Sequence, residues 1–150
     1  MIEATTLDVR EAYLALRRMN EETRLPEKAA WPVSRLMGKL KRAARDAEED
    51  ERTLFENAGA VADGQRMTMR GPERRQDESD EEFNARLAEH LANLRSLQAA
   101  QRAANQELVQ IDCEPLRRSV FADAEGTKPE KLRLFSANDF LDAGPFIIDG

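Results

Sequence analysis

The fold is decided by two stretches of the chain, VSRLMGKLKRAARDAEEDERTLFENA at residues 33–58 and FNARLAEHLANLRSLQAAQRAANQEL at residues 83–108. In both stretches the seam positions alternate in steps of four and three residues, which is the heptad spacing of a coiled coil. The first seam consists of Val33, Met37, Leu40, Ala44, Ala47, Glu51, Leu54 and Ala58. The second seam consists of Phe83, Leu87, His90, Leu94, Leu97, Gln101, Ala104 and Leu108. This spacing predicts two long helices that pack along one seam.

The two seams have the same number of positions, so we expect the helices to form the arms of a long antiparallel coiled-coil hairpin. This register places Val33 opposite Leu108 and mostly sets small residues against large ones, as interdigitated packing requires. It also places Glu51 opposite His90, the only histidine of the chain. The pair could act as a pH-sensitive latch or a general base, or could fix the register as a polar seam layer. We favour the polar layer, because the pattern places no nucleophile nearby.

The other elements complete a mainly α fold in a single domain. The capping signals are Thr5 or Thr6 with Asp8 for a first helix, Gly59 for the end of the first arm, and Ser79 with Glu82 for the start of the second. The predicted segments are an N-terminal packing helix at 7–24, hairpin arms at 26–59 and 79–109, a tip loop at 60–78, and a C-terminal strand and turn segment at 110–150.

A second apolar stripe, Ala29, Leu36 and Ala43, lies beside the first seam, and we expect the N-terminal helix to pack there. Gly38 lies near this stripe, which suggests a close approach of two backbones. Short strands are predicted at residues 65–70, 109–113 and 132–135, of which the last two can pair. A final helical turn at residues 138–142 follows Ser136 as its cap.

Composition and charge exclude several classes of function. The net charge is −6 and the isoelectric point is about 5.0, which argues against a general nucleic-acid or membrane-surface binder. One cysteine excludes an internal disulfide, and no apolar run is long enough for a signal peptide or a membrane span. We therefore expect a soluble protein that is made and used in the cytoplasm.

The sequence offers no set of residues suited to catalysis or cofactor binding. The acidic runs at residues 46–51 and 77–82 lack the glycine turn and alternating ligands of a calcium loop. A zinc site is not credible with one histidine and one cysteine, Cys113. Phosphate-binding loops, catalytic triads and dinucleotide motifs are also missing from the sequence. We expect no enzymatic activity, no cofactor, no metal and no small-molecule substrate.

Two groups of residues are candidate contacts for a protein partner. The first group consists of the tip arginines Arg66, Arg70, Arg74 and Arg75. The second group consists of apolar residues near the C-terminus, Phe140, Phe146, Ile147 and Ile148. The second group either folds back to cover the open end of the hairpin near Trp31 and Tyr13, or docks on another chain. We favour folding back, since a solitary hairpin needs its open end covered.

The order of these features resembles that of small helical-hairpin proteins encoded by tailed phages. In chain order, the first features are a leading helix, the step Leu25-Pro26, and a long charged helix that ends near Phe55 and Gly59. A loop follows, and then a helix that opens with an acidic capping box and Phe83. The last features are a short strand at 107–112 and a Ser136–Asp139 turn. Pro32 and the arginine-bearing tip depart from that layout. The resemblance implies a virus-encoded protein that works by binding, and it brings no catalytic residues with it.

These observations predict a non-enzymatic phage protein, structural or involved in virion assembly, that acts through protein–protein contacts of a rigid helical hairpin. Its partners would be other virion proteins or copies of itself, in the cytoplasm of the infected bacterium or within the virion. The alternative is a soluble acidic inhibitor of a host protein, such as a defence or nucleic-acid-binding protein, that uses its charge as a decoy for a basic groove.

Overall fold

The computed structural model describes residues 1–22, 25–64, 66–121 and 137–149. These residues form a mainly helical structure with long helices and small strands. The helices are α1 (Thr6–Glu22), α2 (Glu27–Asn57), α3 (Asp80–Gln106) and α4 (Ala137–Asp142), and the strands are β1 (Ile2–Thr5), β2 (Val61–Asp63), β3 (Arg66–Thr68), β4 (Leu108–Ile111), β5 (Leu116–Arg117) and β6 (Ile147–Ile148). The chain divides into two compact units, Met1–Ala47 with Gln106–Gly150, and Glu48–Asn105.

Capping bonds hold the ends of the helices where the sequence predicts them. The Asp8 amide donates to Thr5 Oγ1 at 3.1 Å, and the Thr5 amide donates back to Asp8 Oδ2 at 3.3 Å. The Glu82 amide donates to Ser79 Oγ at 3.2 Å at the start of α3. Gly59 has a φ of +87° after the end of α2. Its amide bonds Glu56 O while the Ala60 amide bonds Phe55 O, which is a Schellman motif.

The core of the first unit is built where α1 packs against α2. The α1 stripe contributes Val9, Ala12, Leu16 and Met19, and α2 contributes Ala29, Val33, Leu36 and Leu40. All of these side chains are buried, so the expected packing of α1 on the stripe of Ala29 and Leu36 is confirmed. Leu108, which the hairpin register placed against buried Val33, lies in β4 and is 64% exposed. That predicted pair is wrong.

Three small two-stranded sheets are formed by the described residues. Strand β4 lies in the predicted 109–113 region, but it pairs antiparallel with β1, with Ile2 opposite Ile111. Strand β1 was not predicted from the sequence, and the strand predicted at 132–135 lies outside the described residues. Strands β2 and β3 form an antiparallel hairpin around Gly64, earlier in the chain than the pair expected at 65–70. Strands β5 and β6 pair in parallel.

The C-terminal apolar residues fold back onto their own chain. Phe146 is fully buried and Ile147 is 8% exposed, and both belong to the core that contains α1. Phe140 is half-buried, with its ring centroid 5.4 Å from that of Phe121. Phe146 and Ile147 are therefore corrected from candidate partner contacts to core residues, because the core of the first unit already covers them. Ile148 remains 42% exposed.

We expect Phe146→Ala to destabilise the protein by about 3–5 kcal/mol, because it removes a fully buried aromatic side chain. The matched control is Leu141→Ala, whose side chain is 73% exposed and which should change the free energy of unfolding by less than about 0.5 kcal/mol. Urea denaturation followed by circular dichroism measures both. Equal effects of the two substitutions would show that the tail does not belong to the core.

Gly38 has no close neighbour, contrary to the sequence expectation. A Cβ added there meets no atom within 4 Å, and the position is exposed in the middle of α2. Gly38→Ala should therefore raise the free energy of unfolding by about 1 kcal/mol through helix propensity alone. Gly59→Ala should have the opposite sign, because φ of +87° is unfavourable for a residue with a Cβ. Urea midpoints of the two variants test both signs, and a destabilised Gly38→Ala would contradict the open position.

Candidate protein-binding surfaces

The polar layer of the second unit joins Glu51 to Gln101. Gln101 Nε2 donates to Glu51 Oε2 at 3.2 Å, which links α2 to α3. Gln101 follows His90 by about three helical turns, or about 16 Å along α3. The predicted layer of Glu51 with His90 is therefore corrected to a layer of Glu51 with Gln101, so the two helices meet in a different register.

The tip segment contacts the first three turns of α3, where the predicted register placed α2. The ring of His90 lies beside Gly71, with Nε2 3.8 Å from where a Cβ on Gly71 would stand. Arg86 Nη1 donates to Glu73 O at 3.2 Å and to the Glu78 carboxylate at 2.7 Å. Residues 71–78 thus contact α3 at Arg86 and at His90, the seam position that the hairpin register assigned to Glu51 of α2.

The predicted seam positions are covered, although Val33 and Leu40 of the first seam belong to the core that α2 shares with α1. Every seam position of α2, and every seam position of α3 from Phe83 to Ala104, is buried or half-buried. Most of the α3 seam is only half-buried, however. Leu97 is the one fully buried residue of this helix, and Leu91 is 45% exposed.

The four tip arginines do not share one environment. Arg74 is paired with Asp80, and the Arg75 amide donates to Glu78 Oε1 at 3.3 Å. Arg66 and Arg70 are exposed, and within the described residues neither forms a hydrogen bond or ion pair. The guanidinium of Arg75 is also exposed and, among the described residues, without a hydrogen bond or ion pair, so the tip presents three arginines for outside contacts while Arg74 is engaged within the chain.

A groove that the sequence analysis did not identify lies in the first unit, beside Trp31. It measures about 510 Å³ and runs between α2 and the segment that joins β4 to β5. The lining residues are Met1, Trp31, Pro32, Arg35, Leu36, Lys39, Asp112, Cys113, Glu114 and Leu116. Trp31 is 74% exposed, although tryptophan is a large apolar residue. Burial raises the pKa of the half-buried Cys113 thiol, which does not favour a reactive thiolate there.

A second, smaller groove of about 450 Å³ lies beside the C-terminal residues of the first unit. The Arg118 guanidinium stands 4.3 Å from the Phe140 ring centroid, and its Nη1 lies 3.5 Å from Asp149 Oδ1. Leu141 and Ile148 also line it and are exposed. Because its one arginine is already engaged by an aromatic ring and a carboxylate, this groove offers an outside partner less than the Trp31 groove does.

The Glu78–Arg86 ion pair holds the tip on α3, and hydrogen bonding to Arg86 lowers the pKa of Glu78. A carboxyl group with a lowered folded-state pKa adds stability above its unfolded pKa, about 4.3, and that stability is lost as pH falls through the folded value. We expect Glu78→Gln to lower the melting temperature at neutral pH, and the difference from the parent to shrink in acid. Glu81→Gln, at an exposed position of the first turn of α3, is the control. A difference that does not change with pH would exclude the ion pair as its source.

The described residues show neither a metal site nor a membrane-spanning helix. Within the described ranges, no group of three or more histidine, cysteine, aspartate or glutamate residues could hold a metal ion. The helices of those ranges include none with the length and apolar character needed to cross a membrane. Comparison with protein-family models, curated proteins and solved structures finds no match for this chain.

Proposed function

We propose that this chain is a non-enzymatic protein that acts through protein–protein contacts, as a phage-encoded structural or assembly component. The observation that carries the proposal is the exposure of Trp31, the only tryptophan, at the edge of an apolar-floored groove. The phage origin rests on the resemblance in layout. In this proposal, α2 and α3 act as the arms of a rigid coiled-coil hairpin that sets the distance between bound partners.

The Trp31 groove has the composition of a protein-binding site. Leu36 and Leu116 contribute apolar surface, and charged residues stand at both sides. Protein interfaces combine an apolar centre with a polar rim, and tryptophan is enriched among the residues that dominate binding energy. Met1 is 79% exposed and lines the same groove, which adds to the apolar surface that a partner would cover.

The long helices support a spacing role. Helix α2 has 31 residues and α3 has 27, which correspond to about 46 Å and about 40 Å at 1.5 Å per residue. Because the positions of α3 outside its seam are mostly exposed, that side of the helix is available for lateral contacts.

A second candidate is a soluble acidic inhibitor of a host protein. The net charge of −6 and the exposed run Glu48, Glu49 and Asp50 on α2 favour it, since an acidic helix can occupy a basic groove. The two candidate functions differ in the assembly in which the protein is found. A structural component is recovered in purified virus particles, whereas an inhibitor is recovered only in complex with its host target.

Site-specific photo-crosslinking in cells tests the proposal. A benzophenone amino acid replaces Trp31 in one variant and Leu14 in the control, whose side chain on α1 is 52% exposed outside the groove. We expect position 31 to give discrete protein adducts, identifiable by mass spectrometry, and position 14 to give none of the same species. Identical adducts at both positions, or none at position 31, would contradict protein binding through the groove.

A further inference from the structure

We propose that the Trp31 groove is occupied by a second copy of this chain, which makes a two-fold symmetric dimer. The inference rests on the proposed protein-binding role of the groove and names its partner. It follows from the charges that line the two sides of the groove, which have opposite signs.

One wall of the groove is basic and the other is acidic. Arg35 and Lys39 are one helical turn apart on α2 and form the basic wall. Asp112 and Glu114 are two residues apart after β4 and form the acidic wall. All four side chains are exposed, and among the described residues none of them forms an ion pair. The groove therefore presents two exposed charged side chains of each sign, and the charge of the N-terminus at Met1 also acts on Cys113 beside the acidic wall.

This distribution of charge complements itself under a two-fold rotation. In a symmetric dimer both copies use the same patch. A residue of the first copy that contacts a second residue of the other copy is therefore matched by the reverse contact. Rotation brings the basic wall of one copy to the acidic wall of the other, and the reverse contact forms at the same time. Four charged side chains in each copy are then paired without any other protein.

The apolar residues between the walls provide the driving force. Trp31 and Met1 are 74% and 79% exposed in the single chain, and a second copy would cover both. Removing such surface from water is favourable, while the charged pairs fix the orientation.

A partner of a single charge sign fits the groove less well. An acidic peptide would be attracted to Arg35 and Lys39 but repelled by the acidic wall. A basic peptide would be attracted to the acidic wall but repelled by Arg35 and Lys39. Like charges brought together at an interface are unfavourable and select against such partners. A copy of the same chain carries both walls at the matching spacing.

The single tryptophan reports directly on this dimer. Raising the concentration of the full chain from micromolar to millimolar should double the mass in light scattering and shift the tryptophan emission to shorter wavelength over the same range. Trp31→Ala should raise the dimer dissociation constant by about thirtyfold or more, as expected for a central interface tryptophan. Leu14→Ala, an exposed apolar residue outside the groove, should leave the constant unchanged.

Charge reversal supplies the decisive test. The pair Arg35→Glu with Lys39→Glu gives two acidic walls, and the pair Asp112→Lys with Glu114→Lys gives two basic walls. Each double variant alone should be monomeric, and an equimolar mixture should form a heterodimer. Because all four positions are exposed, unchanged circular dichroism melts show that the variants fold.

The outcomes separate this inference from the proposed function. A parent chain that stays monomeric, or charge variants that associate as the parent does, would overturn the symmetric dimer. If the chain is monomeric but position 31 crosslinks to a different protein, the groove binds another partner and only the inference fails. If the chain is monomeric and position 31 gives no adduct, both proposals fail.

Discussion

The pairing of β1 with β4 is the interaction on which the first unit and its groove depend. It ties the first residues of the chain to residues that follow α3, with Ile2 opposite Ile111. Thr6 continues the connection, since its amide and its hydroxyl both donate to Glu107 O, at 2.8 and 3.0 Å. The pairing fixes the start of α1 as well, because Thr5 is at once the end of β1 and the cap of the helix. The register also brings Met1 and Asp112 to the groove beside Trp31.

The sequence predicted the helices well because helix ends are encoded locally. Thr5 with Asp8, Ser79 with Glu82, and Gly59 are short-range signals whose bonds form within a few residues of chain. The burial of the seam positions of α2 and α3 also follows from periodicity. The register between them does not, because it depends on where the connecting segment runs. The heptad pattern allowed α2 to cover all of α3, whereas residues 71–78 cover its first turns through Arg86.

The candidate site was harder to predict, because its residues come from three distant parts of the chain. Trp31 lies away from both apolar stripes of α2, and the expectation that the C-terminal residues cover it is wrong, since it is 74% exposed. Strand β1 has only four residues, IEAT, which is too short for alternation to be distinguished from a helix start. Without β1, nothing in the sequence joins Met1 to Asp112. The burial of Phe146 was predicted in outline, since an apolar chain end needs a cover, but the pairing of β5 with β6, which follows it directly, was not.

The charge of the chain acts on binding at two different distances. A net charge of −6 makes two copies repel one another while they are far apart. At physiological salt this repulsion is screened beyond about 8 Å, so it slows encounters more than it weakens a formed complex. The charges that line the Trp31 groove act at contact distance, where screening is weakest and where both signs are present. A chain with this pattern resists unspecific association through its overall charge and still provides one patch that complements itself.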